Sequence, residues 1–144
     1  MKRRAIIMAA YAVALVAAAR PAPKASAPFA GEPAVIAATF SSAWCAPCRI
    51  LKPRLARVIP EFKDEPVKFV DYDFTFGRNE ALDEKAAADG LRPLFQAYSK
   101  ATGFTLLVDA DTGALIGMLT ADDSKRQMRE AIDDALAVAL ARTL

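Results

Sequence analysis

Apolar and polar positions fall into blocks of different period along the chain, and each block predicts an element. Ala34 to Phe40 (Ala-Val-Ile-Ala-Ala-Thr-Phe) is a short apolar run, consistent with a central strand buried on both faces. After Ser41-Ser42-Ala43 the period becomes helical, as far as about Ile59. Ile50, Leu51, Leu55 and Val58 fall on one side, and Arg49, Lys52, Arg54 and Arg57 populate the other. Pro53 lies inside this pattern and predicts a kink. Val67 to Phe74, rich in valine and aromatics, is the second strand. Strand, helix and strand in this order predict a right-handed parallel crossover.

Farther along, Asn79 to Gly90 predicts a short helix with a capping asparagine in front and a terminating glycine behind. Pro93 suits the first turn of another short helix, through about Ser99. Thr105 to Val108 and Ala114 to Thr120 read as an antiparallel hairpin, joined by Asp109-Ala110-Asp111-Thr112-Gly113. A final helix is expected from Ser124 to about Ala141. Ser124 and Gln127 have capping-box spacing there, and Met128, Ile132, Leu136 and Leu140 recur as an apolar stripe. No internal repeat is visible.

The first 33 residues follow different rules. Lys2-Arg3-Arg4, the uncharged run from Ala5 to Ala19 and the small residues Ala17-Ala18-Ala19 match an export signal, residues 1–19, with a cleavage site at its end. The run is shorter than the roughly 18 to 20 apolar residues of a spanning helix, so cleavage is favoured over a permanent anchor and no stable membrane span is expected afterwards. No cysteine lies near it to carry a lipid. Residues 20–33 hold Pro21, Pro23, Pro28 and Pro33 among alanines and read as an extended linker. The folded domain is expected over residues 34–144.

Composition narrows the chemistry. A chain of 144 residues has room for one domain whose core stands without structural disulfides, which frees its two cysteines for chemistry. There is no histidine, so His-assisted nucleophilic catalysis is excluded, and zinc sites and Cys/His copper carriers are disfavoured. Setting aside Lys2, Arg3 and Arg4 leaves 16 of the 19 basic residues against 17 acidic ones. That balance offers no electrostatic footprint for nucleic acid.

What remains is Trp44-Cys45-Ala46-Pro47-Cys48, at the junction of a strand and a helix. A thiolate is the reactive form of cysteine, and the unpaired N–H groups at a helix N-terminus stabilise it. Cys45 is expected at that end. Cys48, one turn on, is within reach to attack a mixed disulfide formed at Cys45, and is expected to be the more buried. Arg49 and Lys52 add positive charge, either as a solvated helix face or as tuning of the thiols.

This motif resembles the active-site motif of thioredoxins, with Ala46 where many members have glycine. Pro53 also matches that family's helix-kinking proline, and the elements occur in its order. The resemblance covers about Ala34 to Leu140. It implies a thioredoxin-like α/β fold: a central mixed sheet of about four strands built from a βαβ unit, a helical insertion, a β-hairpin and a C-terminal helix. It further implies Cys45 as attacking nucleophile, Cys48 as resolving thiol, Trp44 flanking the substrate site and Pro47 shaping the turn. Neither a metal nor another cofactor is implied.

Four positions depart from the family pattern. Phe104 stands where the family has a cis-proline facing the cysteines, so a trans bond is expected, with Gly103 either a plain turn residue or a point of close backbone approach to substrate. Thr39 replaces a buried aspartate, and Phe69 its lysine partner. The loss of both charges is coherent, because either alone is costly to bury. Residues 75–100 are longer than the usual connection and read as a packing insertion or a partner surface.

The sequence reading is thus an exported, periplasmic thiol–disulfide oxidoreductase. It would exchange disulfides with protein thiols, and family resemblance implies a membrane-embedded thiol electron donor. A reductive direction is expected but not fixed by sequence. The alternative is a binding module with a structural, non-cycling disulfide; a thiol-based metal carrier is a weaker third. Asp71 and Asp73 read as structural, Asp109, Asp111 and Gly113 as turn residues. Trp44, Phe62, Phe69, Tyr72, Phe74 and Phe76 read as core and site wall.

Overall fold

A computed structural model describes residues 31–142. The expected export signal, residues 1–19, and nearly all of the expected linker lie outside the described residues. Within them the order is β1 (Val35–Ser41), α1 (Cys48–Val58), a 3-10 turn (Ile59–Phe62), β2 (Val67–Asp73), α2 (Glu80–Ala88), α3 (Arg92–Tyr98), β3 (Phe104–Asp109), β4 (Leu115–Thr120) and α4 (Lys125–Arg142). The four strands form one mixed sheet in the order β2-β1-β3-β4. β1 pairs parallel with β2 and antiparallel with β3, and β3 and β4 form the hairpin. β1 is central and buried along its whole length, as its apolar run requires.

Alternation along the strands divides the core in two. Val35, Ala37 and Leu107 face α1 and α4, meeting Leu51, Leu55, Met128, Ile132 and Leu136. Ile36, Ala38, Phe40, Tyr72, Phe104 and Leu106 face α2 and α3, meeting Ala86, Leu91 and Phe95.

The helix ends follow their local chemistry. Asn79 Oδ1 accepts the Leu82 N–H at 3.0 Å, capping α2. Gly90, just past α2, has φ +72°, the left-handed conformation glycine adopts without penalty. At α4 the Ser124 N–H donates to Gln127 Oε1 at 2.9 Å while the Gln127 N–H donates to Ser124 Oγ at 3.3 Å, a closed capping box.

Two apolar positions in the helices differ from the sequence reading. Ile50 is 48% and Leu140 47% exposed, whereas Cys48 and Ala139 are buried. Leu140 is displaced because a strict four-residue period overruns the 3.6-residue turn, drifting about 40° per step. Ile50 lies about 100° around the helix from Leu51, and packing on the sheet selects the Cys48, Leu51, Leu55, Val58 stripe. Among the described residues no helix is long and apolar enough to cross a membrane.

Candidate active site

The site begins where β1 stops. Cys45 and Cys48 form a disulfide with Cα atoms 5.2 Å apart. α1 starts at Cys48 itself, with Pro47 as its cap residue, so Cys45 lies three residues ahead of the helix instead of within its first turn. The Cys48 N–H nevertheless donates to Cys45 Sγ at 3.2 Å, so that sulfur occupies the acceptor place of a helix cap. The same N–H favours a thiolate on Cys45 when the pair is reduced. Cys48 is the more enclosed, at 3% exposure against 8% for Cys45.

The rim around Cys45 is apolar and open. Ala46 and Pro47 are exposed, and Trp44 is 76% exposed. Gly103 closes the other side. Its φ is +102°, and a Cβ there would lie 3.0 Å from Pro47 Cβ and 3.2 Å from Cys45 Sγ. A side chain at this position would therefore collide with the nucleophile's own surroundings.

The Gly103 N–H donates to the Phe40 carbonyl at 2.8 Å, tying the loop before β3 to the end of β1. No peptide bond among the described residues is cis, in keeping with the trans bond expected before Phe104. The ring of Phe104 stacks on Phe40 at 5.1 Å and meets Tyr98 edge-on at 5.8 Å. It thus belongs to the aromatic core, and Gly103 is the residue that borders the disulfide.

Thr39 and Phe69 hold the places of the missing charges. Thr39 Oγ1 and Thr105 Oγ1, opposite each other in the β1–β3 register, share a buried hydrogen bond of 2.8 Å. A neutral hydroxyl pair thus satisfies a spot where a lone charge would be costly. Phe69 packs against the aliphatic core.

Two groups at the site meet partners that no motif in the sequence declares. Thr75, the second residue after β2, accepts the Ala43 N–H at its hydroxyl (2.9 Å) and the Trp44 indole N–H at its carbonyl (3.0 Å). Its own N–H donates to Asp73 Oδ1 at 2.9 Å. Hydrogen bonds from the Thr75 hydroxyl and N–H hold the Asp73 carboxyl below the usual range. The Asp-x-Thr spacing of 73 and 75 was the available signal, since aspartate accepts from the backbone two residues on.

Lys52 is the second group: its ammonium pairs with Asp71 Oδ2 at 2.6 Å and approaches Ser41 Oγ at 3.3 Å. Ser41 in turn donates to Asp71 Oδ1 at 2.7 Å. Phe76, one residue past Thr75, is 94% exposed and so belongs neither to the core nor to a closed site wall. Among the described residues no group of three or more His, Cys, Asp or Glu gathers with the spacing of a metal site.

The thioredoxin family profile matches residues 30–102, just over half of the chain. No curated protein sequence matches. Similar solved structures include a thiol:disulfide interchange protein of the thioredoxin family from Chlorobium tepidum TLS (22% identity, 83% of this chain and 99% of that one, TM-score 0.48). Thioredoxin from Fasciola hepatica is 20% identical over 72% of this chain and 83% of its own, with TM-score 0.47. Thioredoxin from Trypanosoma brucei brucei is 18% identical over 74% and 78%, with TM-score 0.48. With a family match over residues 30–102 and a Cys-x-x-Cys disulfide at the head of α1, the chain belongs to the thioredoxin family of thiol–disulfide oxidoreductases.

Proposed function

We propose that this protein is exported and reduces disulfides in protein substrates, with Cys45 as nucleophile and Cys48 as resolving thiol. The observation that carries the reading is the disulfide at the start of α1, with the Cys48 N–H on Cys45 Sγ and the open rim of Trp44, Pro47 and Gly103 around it. A protein substrate needs such a rim, because its own disulfide must approach Cys45 in line.

In the reduced enzyme the Cys45 thiolate attacks one sulfur of a substrate disulfide, and the other leaves as a thiolate that takes up a proton. The Cys48 thiolate then attacks Cys45 Sγ. The Cys45–Cys48 bond forms, the bond to substrate breaks, and the substrate has gained two electrons. A dithiol donor restores the enzyme by the reverse exchange. For a protein exported on the leader of residues 1–19 into the periplasm, that donor is a membrane-embedded thiol relay.

The deciding experiment is the equilibrium potential of the Cys45–Cys48 pair against glutathione, read by alkylation. A value near or below about −250 mV supports the reductive direction, and one nearer about −120 to −180 mV assigns a disulfide donor instead. Cys45→Ser must abolish turnover. A disulfide that fails to exchange with glutathione or protein disulfides leaves only the binding-module reading. Export is tested separately by the mass of the mature chain recovered from the periplasm, which should lack residues 1–19.

A further inference from the structure

The resolving step has its own requirement. Cys48 must ionise while nearly buried, and burial raises the pKa of a thiol. The buried polar side chains of β1, Thr39 with its partner Thr105 and Ser41, carry no charge. A cleft of about 300 Å³ does reach Cys48, lined also by Ser41, Arg49, Lys52, Asp73 and Thr75. Lys52 stands one turn after Cys48 on the same face of α1. It also lines a second cleft of about 260 Å³ with Thr39, Phe69 and Asp71.

This lysine is not a loose surface cation. Asp71 and the buried hydroxyl of Ser41 hold its ammonium, and Ser41 is itself held by Asp71. The three come from β1, α1 and β2, and converge only because Ser41 and Asp71 alternate onto the α1 face of the sheet. We propose that Lys52, steered by Asp71 and Ser41, is a positioning residue that favours the Cys48 thiolate during resolution.

Lys52 neither gains nor loses a proton in this step. The Cys48 proton leaves to water in the cleft, and the thiolate's electron pair forms the bond to Cys45 Sγ as the bond to substrate breaks. The charged groups that line the cleft at Cys48 are Arg49 and Lys52 from α1 and Asp73 from β2, with Asp71 of β2 paired to Lys52; β1 contributes none. Asp73 is already engaged by Thr75, and Lys52, held by Asp71 and Ser41, is a cation fixed in place in the cleft that reaches the thiol.

The role has a purpose only within the proposed cycle, but its test does not need turnover. In Cys45→Ser protein, the rate of Cys48 alkylation by iodoacetamide against pH reports the titration of that thiol alone. Adding Lys52→Gln should move the titration upward by about 0.5 to 1 pH unit, a 3- to 10-fold slower reaction at fixed pH below it. That is less than the 1 to 3 units of a close, shielded charge, because Lys52 is half exposed.

Lys52→Arg should restore the profile. Asp71→Asn should move it upward too, by less than Lys52→Gln, since it frees the ammonium that Asp71 holds in place while also removing an anion. An unchanged profile in both Lys52→Gln and Asp71→Asn overturns the proposal, whatever the potential measurement says of the cycle. Thermal unfolding of each variant in its oxidised form checks that the fold is kept, and a shift rescued by arginine cannot come from lost packing alone.

Discussion

The two faces of the sheet are filled with different chemistry, although the same strands supply both. Toward α2 and α3 the filling is aromatic. The ring of Phe40 lies 5.1 to 6.5 Å from those of Phe104, Tyr72, Phe74, Phe95 and Tyr98. Toward α1 and α4 it is aliphatic, interrupted near the cysteines by Thr39, Thr105, Ser41 and Asp71. Stiffness and reactivity therefore reach the site from opposite sides, and Phe40 joins them. Its ring anchors the aromatic face, while its carbonyl accepts the Gly103 N–H at the edge of the disulfide.

Removing that anchor is the largest perturbation available. Phe40→Ala should cost about 3 to 5 kcal/mol in urea unfolding, the range for deleting a buried aromatic ring. A cost under about 1.5 kcal/mol would mean that the rings do not act as one packed unit. The same variant should speed alkylation of reduced Cys48, because the carbonyl that orders its surroundings loses its support.

The polar interruption of the other face is tested next. Thr39→Val strands the Thr105 hydroxyl in a buried place and should cost about 1 to 3 kcal/mol, whereas Thr39→Val with Thr105→Val together should be nearly neutral. If the double variant loses as much as the sum of the singles, the hydroxyls are not paired partners. On the aromatic side, Asn79→Ala should cost about 1 kcal/mol through the lost cap of α2 while leaving disulfide exchange unchanged.

Much of this contrast was legible in the sequence, and the unread part has a common cause. Strands, hairpin and caps are local: the run from Ala34, the Asn79 cap and the Ser124–Gln127 box each declare themselves within a few residues. So does the Cys45–Cys48 motif, whose two sulfurs are bonded. Lys52 read either as part of a charged helix face or as tuning of the thiols, and its partner could not be read. Its pairing with Asp71, 19 residues away, depends on which way β2 alternates and on the parallel register that sets Thr39 opposite Asp71. Phe104 was read by its place in a motif, yet alternation along β3 turns its ring to the opposite face from Thr105. Sequence spacing locates a residue on an element, but register decides what it meets.

The smallest effect sharpens the comparison at its ionic edge. On the aliphatic side Glu61, in the 3-10 turn after α1, is gripped by Arg129 and by Lys125 at 3.0 Å, which ties that turn to α4. Hydrogen bonds from Arg129 and then Lys125 lower its carboxyl from about 4.5 to about 2. A depressed acid contributes stability that is present above its unfolded value and is lost as pH falls through the folded one. The contribution should therefore be complete above about pH 4.5 and gone by about pH 2. Because the pair faces solvent, salt should weaken it. The measurement is the urea midpoint of the native chain against Glu61→Gln: a small difference at pH 7, smaller in 1 M salt and absent near pH 2. A difference that persists at pH 2 would assign the loss to packing of the 3-10 turn on α4. The ionic clasp would then add nothing to the aliphatic face beyond what its apolar side chains already supply.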